Sequence, residues 1–349
     1  MSARETILSV IQPTEAQPPK KLPVALLSGG TWAFLQKGLD LKDVLEKPEL
    51  AAPVLAEVNQ NVQSDIIWPG SGYHNLPVYV FGGKLKFREH GNIDVTQAAF
   101  TDLAVLDKTD LSLLEQHPWI ASVRQMIQEV QQRSGGEYLI GTSSWGPFTL
   151  AGQFYGVEPL LGGLYKDKAG IQALLEFITE VCYRYLSPAI ARGAKLISIA
   201  EPTASGDLIS RRHFDEFVAP YLQKLIARLK QDGALITLHI CGNIQDRLGL
   251  APDLGVDLLS VDFKVNLSQA ARELDGRTAL AGNLNPVLLR EGPPERIASE
   301  TTRILQEAGN WPRFVLMPGC DVPARVPLGN LQTFFAAGRQ WQKSAAYAS

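Results

Sequence analysis

Short apolar runs alternate with longer amphipathic stretches along most of the chain. Eight apolar runs, bounded by glycine, proline or acidic residues, are typical of the buried strands of a parallel sheet. They cover residues 22–27, 65–68, 138–142, 195–200, 235–240, 257–261, 278–281 and 314–317. Amphipathic stretches with helical spacing lie between most of them, as in 170–186, 213–230, 267–274 and 294–308. This alternation predicts an α/β protein, a (β/α)8 TIM barrel.

A doubly wound open sheet is the alternative α/β fold. Such a sheet more often has fewer strands, and it commonly carries a glycine-rich phosphate loop after the first strand. Here the first run is followed by Ser-Gly-Gly-Thr at 28–31, which is too short a match to that loop. The pattern therefore favours the barrel.

The longest gap between runs, 69–137, follows the second predicted strand. Within it, residues 78–87 alternate around the pair Gly82-Gly83, which predicts a β-hairpin inserted on the catalytic face of the barrel. Residues 1–21 are expected to form an N-terminal extension, and residues 22–349 the single barrel domain. A chain of 349 residues suits one such barrel.

The composition is that of a globular protein, with 45% hydrophobic and 20% charged residues, which excludes a disordered or fibrous chain. A net charge of −3 provides no electrostatic argument for binding nucleic acid or an anionic membrane. The apolar patch at 7–11 is too short for a signal peptide, and no run is long enough to span a membrane. Three cysteines do not make a disulfide framework, so a soluble protein of the reducing cytoplasm is expected.

A candidate metal site lies at the ends of two predicted strands. His239 and Cys241 project to the same side of the fifth strand, and Cys320 follows the eighth. Because the carboxyl ends of barrel strands open onto one mouth, these side chains can converge on a zinc ion. A His-x-Cys pair alone is a weak signal, since a buried cysteine more often fills space in a core. The position of all three at strand ends favours a site.

Three ligands leave a fourth position open, as in catalytic zinc sites. Asp262 at the end of the sixth strand and Glu201 at the end of the fourth are the candidates, either as ligand or as a group that orients His239. Asn283, after the seventh strand, either faces the mouth or serves as a turn residue before Pro286. For the remaining candidates, a structural position is expected. Cys182 should lie in the core, and Trp145 should either line a pocket or pack against its neighbours. The expected surface residues are His74, His90, His117 and His213.

Four further segments are recognisable, Gly-Pro-Phe-Thr-Leu-Ala at 146–151, Leu-His-Ile-Cys-Gly-Asn at 238–243, Gly-Asn-Leu-Asn-Pro at 282–286 and Gly-Cys-Asp-Val-Pro at 319–323. Together they resemble the uroporphyrinogen decarboxylase superfamily, whose members are (β/α)8 barrels. The true decarboxylases carry an arginine-containing run after the first strand and an aspartate after the second. This chain has no arginine at 27–32 and reads Pro-Gly-Ser-Gly at 69–72. These departures oppose decarboxylation of a porphyrin.

The sequence is more similar to the cobalamin-dependent branch, which includes methylcobalamin:coenzyme M methyltransferases and the methyltransferases of O-demethylase systems. The mark of that branch is a zinc site made of His-x-Cys and a distant cysteine, which matches His239, Cys241 and Cys320; residues 199–205 also look like this branch. Cobalamin-independent methionine synthase has a similar set with an acidic ligand one strand later. That likeness makes Asp262 the preferred fourth ligand.

The resemblance implies a zinc-dependent methyltransferase that acts with a corrinoid carried on a separate protein. No Asp-x-His-x-x-Gly cobalamin-binding signature occurs in this chain. The substrate would be a thiol or a methyl donor such as an aryl methyl ether, and the residues do not fix the direction of transfer. A uroporphyrinogen decarboxylase-type lyase and a non-catalytic protein with a structural zinc site remain the alternatives.

Overall fold

A computed structural model describes residues 1–13 and 21–341. The described strands are β1 (Ile66–Ile67), β2 (Lys84–Lys86), β3 (Asp94–Gln97), β4 (Leu139–Trp145), β5 (Leu196–Ala200), β6 (Leu235–Ile240), β7 (Leu258–Val261), β8 (Ala279–Leu284) and β9 (Phe314–Pro318). The described helices are α1 (Ala3–Ile11), α2 (Gly30–Leu35), α3 (Leu41–Glu46), α4 (Ala51–Val62), α5 (Leu76–Val80), α6 (Ser112–Gln116), α7 (Pro118–Ser134), α8 (Pro147–Tyr155), α9 (Val157–Lys166), α10 (Lys168–Ala191), α11 (Arg211–Phe217), α12 (Ala219–Gln231), α13 (Leu267–Leu274), α14 (Pro286–Glu291), α15 (Pro294–Ala308) and α16 (Leu328–Gln340). Short 3₁₀ helices cover Pro48–Leu50, Leu103–Lys108, Pro202–Ala204 and Gln245–Leu250.

Seven strands form one parallel, curled sheet in the order β1-β4-β5-β6-β7-β8-β9. Helices lie between successive strands and cover the outside of the sheet, where apolar strand residues such as Ile197 and Ile199 are fully buried. The α/β barrel predicted from the alternating pattern is confirmed. Its sheet is not fully closed, because one of the eight predicted strands is missing.

The run at 22–27 does not form a strand, and the prediction of a strand there was wrong. It makes one parallel bridge, between Val24 and Leu316 of β9. Side-chain oxygens replace the backbone carbonyls that would accept hydrogen bonds from this segment in a regular sheet. Val24 N donates to a carboxylate oxygen of Asp65 at 2.8 Å, and Leu26 N donates to the Ser64 hydroxyl at 3.1 Å. We call residues 22–27 the seam segment, because they lie between the two edge strands β1 and β9.

The inserted hairpin after the second predicted strand lies later in the sequence than predicted. Residues 76–80 form helix α5, which starts with Pro77 in its first turn, a position that suits proline. Gly82 then turns the chain with a φ of +97°. The antiparallel pair is β2 with β3, which spans 84–97 in place of the predicted 78–87.

The predicted N-terminal extension contains helix α1. Its Ser2 cap and Glu5 form a capping box, and Ile7 and Val10 are fully buried. The Arg313 guanidinium donates to the carbonyl oxygens of Val10 and Ile11, which ties the helix to the start of β9. Residues 14–20 of the extension and 342–349 of the predicted barrel domain lie outside the described residues. None of the described helices is both long and apolar enough to cross a membrane.

Candidate metal centre

Three potential ligands from two strands meet at the carboxyl end of the sheet. His239 lies near the end of β6, Cys241 directly follows that strand, and Cys320 follows β9 by two residues. His239 Nε2 lies 3.1 Å from the Cys241 sulfur, which lies 3.5 Å from the Cys320 sulfur. All three ligand atoms are within 4.8 Å of one another. The structure thus brings together the three residues that the sequence pattern predicted as ligands.

The neighbouring strand β7 orients the His239 ring. In register with His239, Ser260 offers both its carbonyl oxygen, 3.2 Å from Nδ1, and its hydroxyl oxygen, 3.1 Å away. A histidine that donates Nδ1–H to such a partner presents Nε2 as the metal ligand. Ser260 was not among the predicted site residues; its place on the strand after the His-x-Cys pair was the available signal.

The two thiols differ in acidity because they lie against each other. The hydrogen bond from Cys320 lowers the pKa of the Cys241 thiol, whereas the contact with Cys241 and burial raise the pKa of the Cys320 thiol. Burial lowers the pKa of His239, but Cys320 and Asp262 outweigh that effect and raise it. Cys241 and Cys320 are half-buried, and His239 is buried. The thiolate therefore forms more easily at Cys241 than at Cys320.

The donor set fits zinc. One imidazole nitrogen and two sulfurs are the ligands that zinc prefers. Tetrahedral zinc would place two sulfurs about 3.8 Å apart and a nitrogen and a sulfur about 3.6 Å apart, close to the 3.5 and 3.1 Å seen here. Among the described residues this is the one such cluster of histidine, cysteine and acidic side chains.

Asp262, the preferred fourth-ligand candidate, directs its carboxylate at the backbone. One oxygen accepts from Gly242 N at 3.0 Å and the other from Lys264 N at 2.9 Å. Its oxygens are not among the ligand atoms that lie within 4.8 Å of one another. Because Gly242 directly follows Cys241, the carboxylate holds the loop that carries this cysteine.

Asn283 contacts the loop that follows β7. Its side-chain amide donates to the carbonyl oxygens of Asp262 at 3.1 Å and Val265 at 2.9 Å. The side chain is buried and belongs to β8, next to β9. These contacts stabilise the loop after β7, which is neither of the two roles left open for Asn283 in the sequence.

Glu201 is fully buried and turned away from the cluster. Its two oxygens accept from the backbone N–H groups of Phe148 at 3.0 Å and Thr149 at 2.7 Å, at the start of helix α8. Burial raises the pKa of Glu201 to about 7, although these hydrogen bonds oppose the shift. Its position is that of an acidic cap on the helix that follows β4.

A second histidine, His74, lies against strand β4. His74 was expected at the surface, but it is buried. Its ring packs against that of Trp145, with the two ring centroids 4.6 Å apart. Its Nε2 lies 2.7 Å from the hydroxyl of Ser143. Trp145 donates its indole N–H to the side-chain oxygen of Asn75 at 2.8 Å, which fixes the ring at the mouth.

Burial lowers the pKa of His74 to about 4. The unfolded chain takes up a proton on this residue near pH 6.5, whereas the folded protein does not, so stability is lost as the pH falls from about 6.5 towards 4. Between about pH 7.5 and pH 5, the unfolding free energy of the wild type should fall by about 2 kcal/mol more than that of His74→Gln, a variant that can keep the contact with Ser143. Urea unfolding of both proteins at the two pH values measures this difference. The exposed His90→Gln variant is the control, and an unchanged pH dependence in His74→Gln would contradict the prediction.

Asp321, a sequence neighbour of Cys320, was not among the predicted site residues. It directly follows Cys320, and burial raises the pKa of its carboxyl, with Ser28 and Asn92 acting in the opposite direction. An acidic residue next to a strand-end cysteine was the available signal.

Comparison with known proteins supports the resemblance found in the four segments. The family model described as "Uroporphyrinogen decarboxylase (URO-D)" matches residues 4–341. The chain is 29% identical to "Methylcobamide:CoM methyltransferase MtbA" of Methanosarcina acetivorans over 64% of each chain. It is 31% identical to "Methylcobamide:CoM methyltransferase MtaA" of Methanosarcina barkeri over 62% of this chain and 63% of the relative. The alignments thus span slightly less than two thirds of these curated relatives.

Solved structures extend the likeness over nearly the whole chain. A "methyltransferase from Methanosarcina mazei" superposes with a TM-score of 0.86 at 24% identity, covering 97% of this chain and 98% of the other. A putative vitamin-B12 independent methionine synthase from Listeria monocytogenes superposes with a TM-score of 0.56 at 12% identity, covering 93% and 97%. At these identities the likeness concerns the fold.

Proposed function

Since the chain belongs to the uroporphyrinogen decarboxylase family, we propose that it is a methyltransferase of the cobalamin-dependent branch. It moves a methyl group between a corrinoid, carried on a partner protein, and a small substrate at a zinc centre of His239, Cys241 and Cys320. The convergence of these three side chains carries the proposal. The similarity to methylcobamide:CoM methyltransferases supports methyl transfer as the reaction.

The chain's own residues hold and orient the centre. Zinc bound there would lower the pKa of a substrate thiol or polarise the heteroatom of a methyl donor. Ser260 fixes the ring of His239, and Asp262 fixes the loop after Cys241. Because Cys241 and Cys320 are partly exposed, the side of the centre that faces the mouth is left for the substrate.

The methyl transfer needs no external oxidant or reductant. Towards a thiol, the sulfur forms the new bond to carbon, the cobalt–carbon bond breaks with its electron pair left on cobalt, and the thiol proton passes to solvent. In the reverse direction the carbon–heteroatom bond breaks, its electron pair stays on the heteroatom, which takes up a proton, and the reduced corrinoid gains the methyl group. Both directions use the same three ligands.

The partner and the compartment follow from this chemistry. The corrinoid arrives on a carrier protein, since the chain lacks the Asp-x-His-x-x-Gly signature. All three cysteines are free, so two thiols 3.5 Å apart at an open mouth suit the reducing cytoplasm, where they persist as metal ligands.

A methyl-transfer assay tests the proposal. We expect zinc-loaded protein to demethylate methylcobalamin in the presence of a thiol, or to methylate cob(I)alamin from an aryl methyl ether, as measured by the corrinoid absorbance spectrum. X-ray absorption at the zinc edge, with and without a thiol, separates this function from a structural site, because only an open centre gains a sulfur ligand. Metal-free turnover of uroporphyrinogen, with no methyl transfer to any of these substrates, would instead identify a decarboxylase.

A further inference from the structure

We infer that Arg247 is a positioning residue for the metal centre, because its buried guanidinium joins the loop that carries Cys241 to the loop that follows β5. These two segments are called the β6 loop, residues 241–250, and the β5 loop, residues 201–210. Arg247 lies in the 3₁₀ helix of the β6 loop and is not part of the ligand cluster. The inference rests on the proposed zinc centre and adds to it a residue that acts from a distance.

The side chain of Arg247 is buried, which is unusual for a charged group. It is only 1% exposed, whereas the side chain of its ion-pair partner Asp246 is exposed. Guanidinium nitrogens lie 2.7 and 3.0 Å from the two carboxylate oxygens of Asp246. Burial of a charge is costly unless the group is also hydrogen-bonded on its buried side. The contacts on that side therefore account for the position of Arg247.

The guanidinium of Arg247 binds the backbone of the β5 loop at two points. Nη1 donates to the carbonyl oxygen of Ala204 at 2.7 Å, and Nη2 donates to that of Ile209 at 3.2 Å. The guanidinium carbon also lies 4.9 Å from the ring centroid of Phe214, a distance at which a cation is attracted to an aromatic face. Residues 205–208, which lie between the two carbonyls, are thereby held at both ends.

Residues 205–208 in turn contact the backbone just after Cys241. Gly206 N donates to the carbonyl oxygen of Asn243 at 2.7 Å, and Asn243 N donates to the carboxylate of Asp207 at 3.1 Å. A side chain at position 206 would not fit, because its Cβ atom would lie 2.9 Å from the Asn243 oxygen. The contacts form a closed ring, which runs along the β6 loop to Arg247, across to the β5 loop and back to Asn243.

The ring of contacts restrains Cys241 independently of Asp262. Asp262 holds Gly242 through one carboxylate oxygen, whereas the ring holds the next residue, Asn243, from the β5 loop. A ligand that is already in place loses less conformational freedom when the metal binds, so the metal binds more tightly. Arg247 is therefore expected to raise the affinity for zinc without contacting the ion.

The zinc affinity of Arg247→Met, measured by competition with a chelating dye, tests the inference. Methionine occupies much of the buried space but donates to neither carbonyl, so we expect the affinity to fall roughly tenfold. Arg247→Lys keeps the charge, but one ammonium group does not reproduce the planar fork that reaches Ala204 and Ile209 together, so most of the loss should remain. Full recovery in Arg247→Lys would show that the charge alone matters and would overturn the inference. Thermal unfolding of the zinc-free proteins verifies that the variants are folded.

Arg211→Met is the matched control. The Arg211 guanidinium also contacts the β6 loop, at the backbone oxygen of Asp246, but its side chain is exposed, so water can replace this contact. The zinc affinity of this variant should change by at most about twofold. Equal affinities in the wild type and Arg247→Met would overturn the inference, as would an equal loss in both arginine variants.

Hydrogen exchange of the unmodified protein, with zinc and after treatment with a chelator, provides an independent test. Because the two loops are coupled, zinc should slow amide exchange over residues 205–209 as well as 242–247, although no residue of 205–209 belongs to the ligand cluster. Protection confined to 242–247 would overturn the inference alone. A wild-type protein that binds no zinc would instead refute the proposed metal centre, and the inference with it.

Discussion

Cys320→Ser is expected to remove zinc and methyl transfer together. A serine hydroxyl keeps its proton near neutral pH and is a harder ligand than a thiolate, so it does not replace the sulfur. Cys320 is also the one ligand supplied from β9, 79 positions along the chain from Cys241. Without it, His239 and Cys241 offer only two ligands, which is fewer than known catalytic zinc sites provide.

The measurement combines metal analysis with the corrinoid assay. We expect the zinc content of Cys320→Ser to fall from about one ion per chain to about a tenth or less, and the methyl-transfer rate to fall by roughly 100-fold or more. Cys241→Ser should behave in the same way. Cys182→Ala is the control, because Cys182 is fully buried in helix α10, where its sulfur lies 3.7 Å from the backbone oxygen of Trp145, and it is not part of the cluster. Full zinc occupancy in both serine variants would exclude the proposed centre.

The second large effect is expected at Asp262. Replacing it with alanine leaves Gly242 N and Lys264 N without their acceptor and releases the loop after Cys241. We expect the affinity for zinc to fall roughly 10- to 100-fold, as is usual when a group that positions a metal ligand is removed. Competition with a chelating dye measures this affinity.

Asp207→Ala provides the comparison on the same loop. The Asp207 carboxylate accepts from Asn243 N at 3.1 Å, but it is exposed, so water can replace it. The change in affinity should be small. If Asp262→Ala instead lost zinc as completely as Cys320→Ser, Asp262 would be a direct ligand and its role in holding the loop would be secondary.

The barrel could be predicted because its strands are marked locally. Leu235–Ile240 and helix Leu267–Leu274 have the predicted bounds, since each is a continuous run with its own periodicity. The predicted helix at 213–230 is divided at Val218 because Pro220 cannot continue the hydrogen bonding of the preceding turn. At 22–27 the pattern is that of a strand, but side-chain oxygens of Asp65 and Ser64, about forty residues away, accept hydrogen bonds from the backbone N–H groups of this segment.

The candidate site was also predictable from the sequence only in part. His239, Cys241 and Cys320 follow from strand-end positions, because the carboxyl ends of parallel strands share one mouth. A strand-end position does not predict where a carboxylate side chain points. Glu201 is bound by backbone groups at the start of α8, more than fifty positions earlier in the chain, and His74 is buried by contacts with β4. These contacts depend on tertiary structure, which periodicity does not encode.

The seam segment has a consequence for synthesis of the protein. Its Val24 pairs with β9 and with Asp65, and Asp65 in turn forms an ion pair with Arg339 in the last described helix. The contacts between the edge strands therefore join residues that lie far apart in the sequence. On the ribosome, where the amino-terminal part emerges first, strands β1 and β4–β8 can assemble before β9 has been made, whereas the seam contacts and the third metal ligand must wait for β9 and the residues after it.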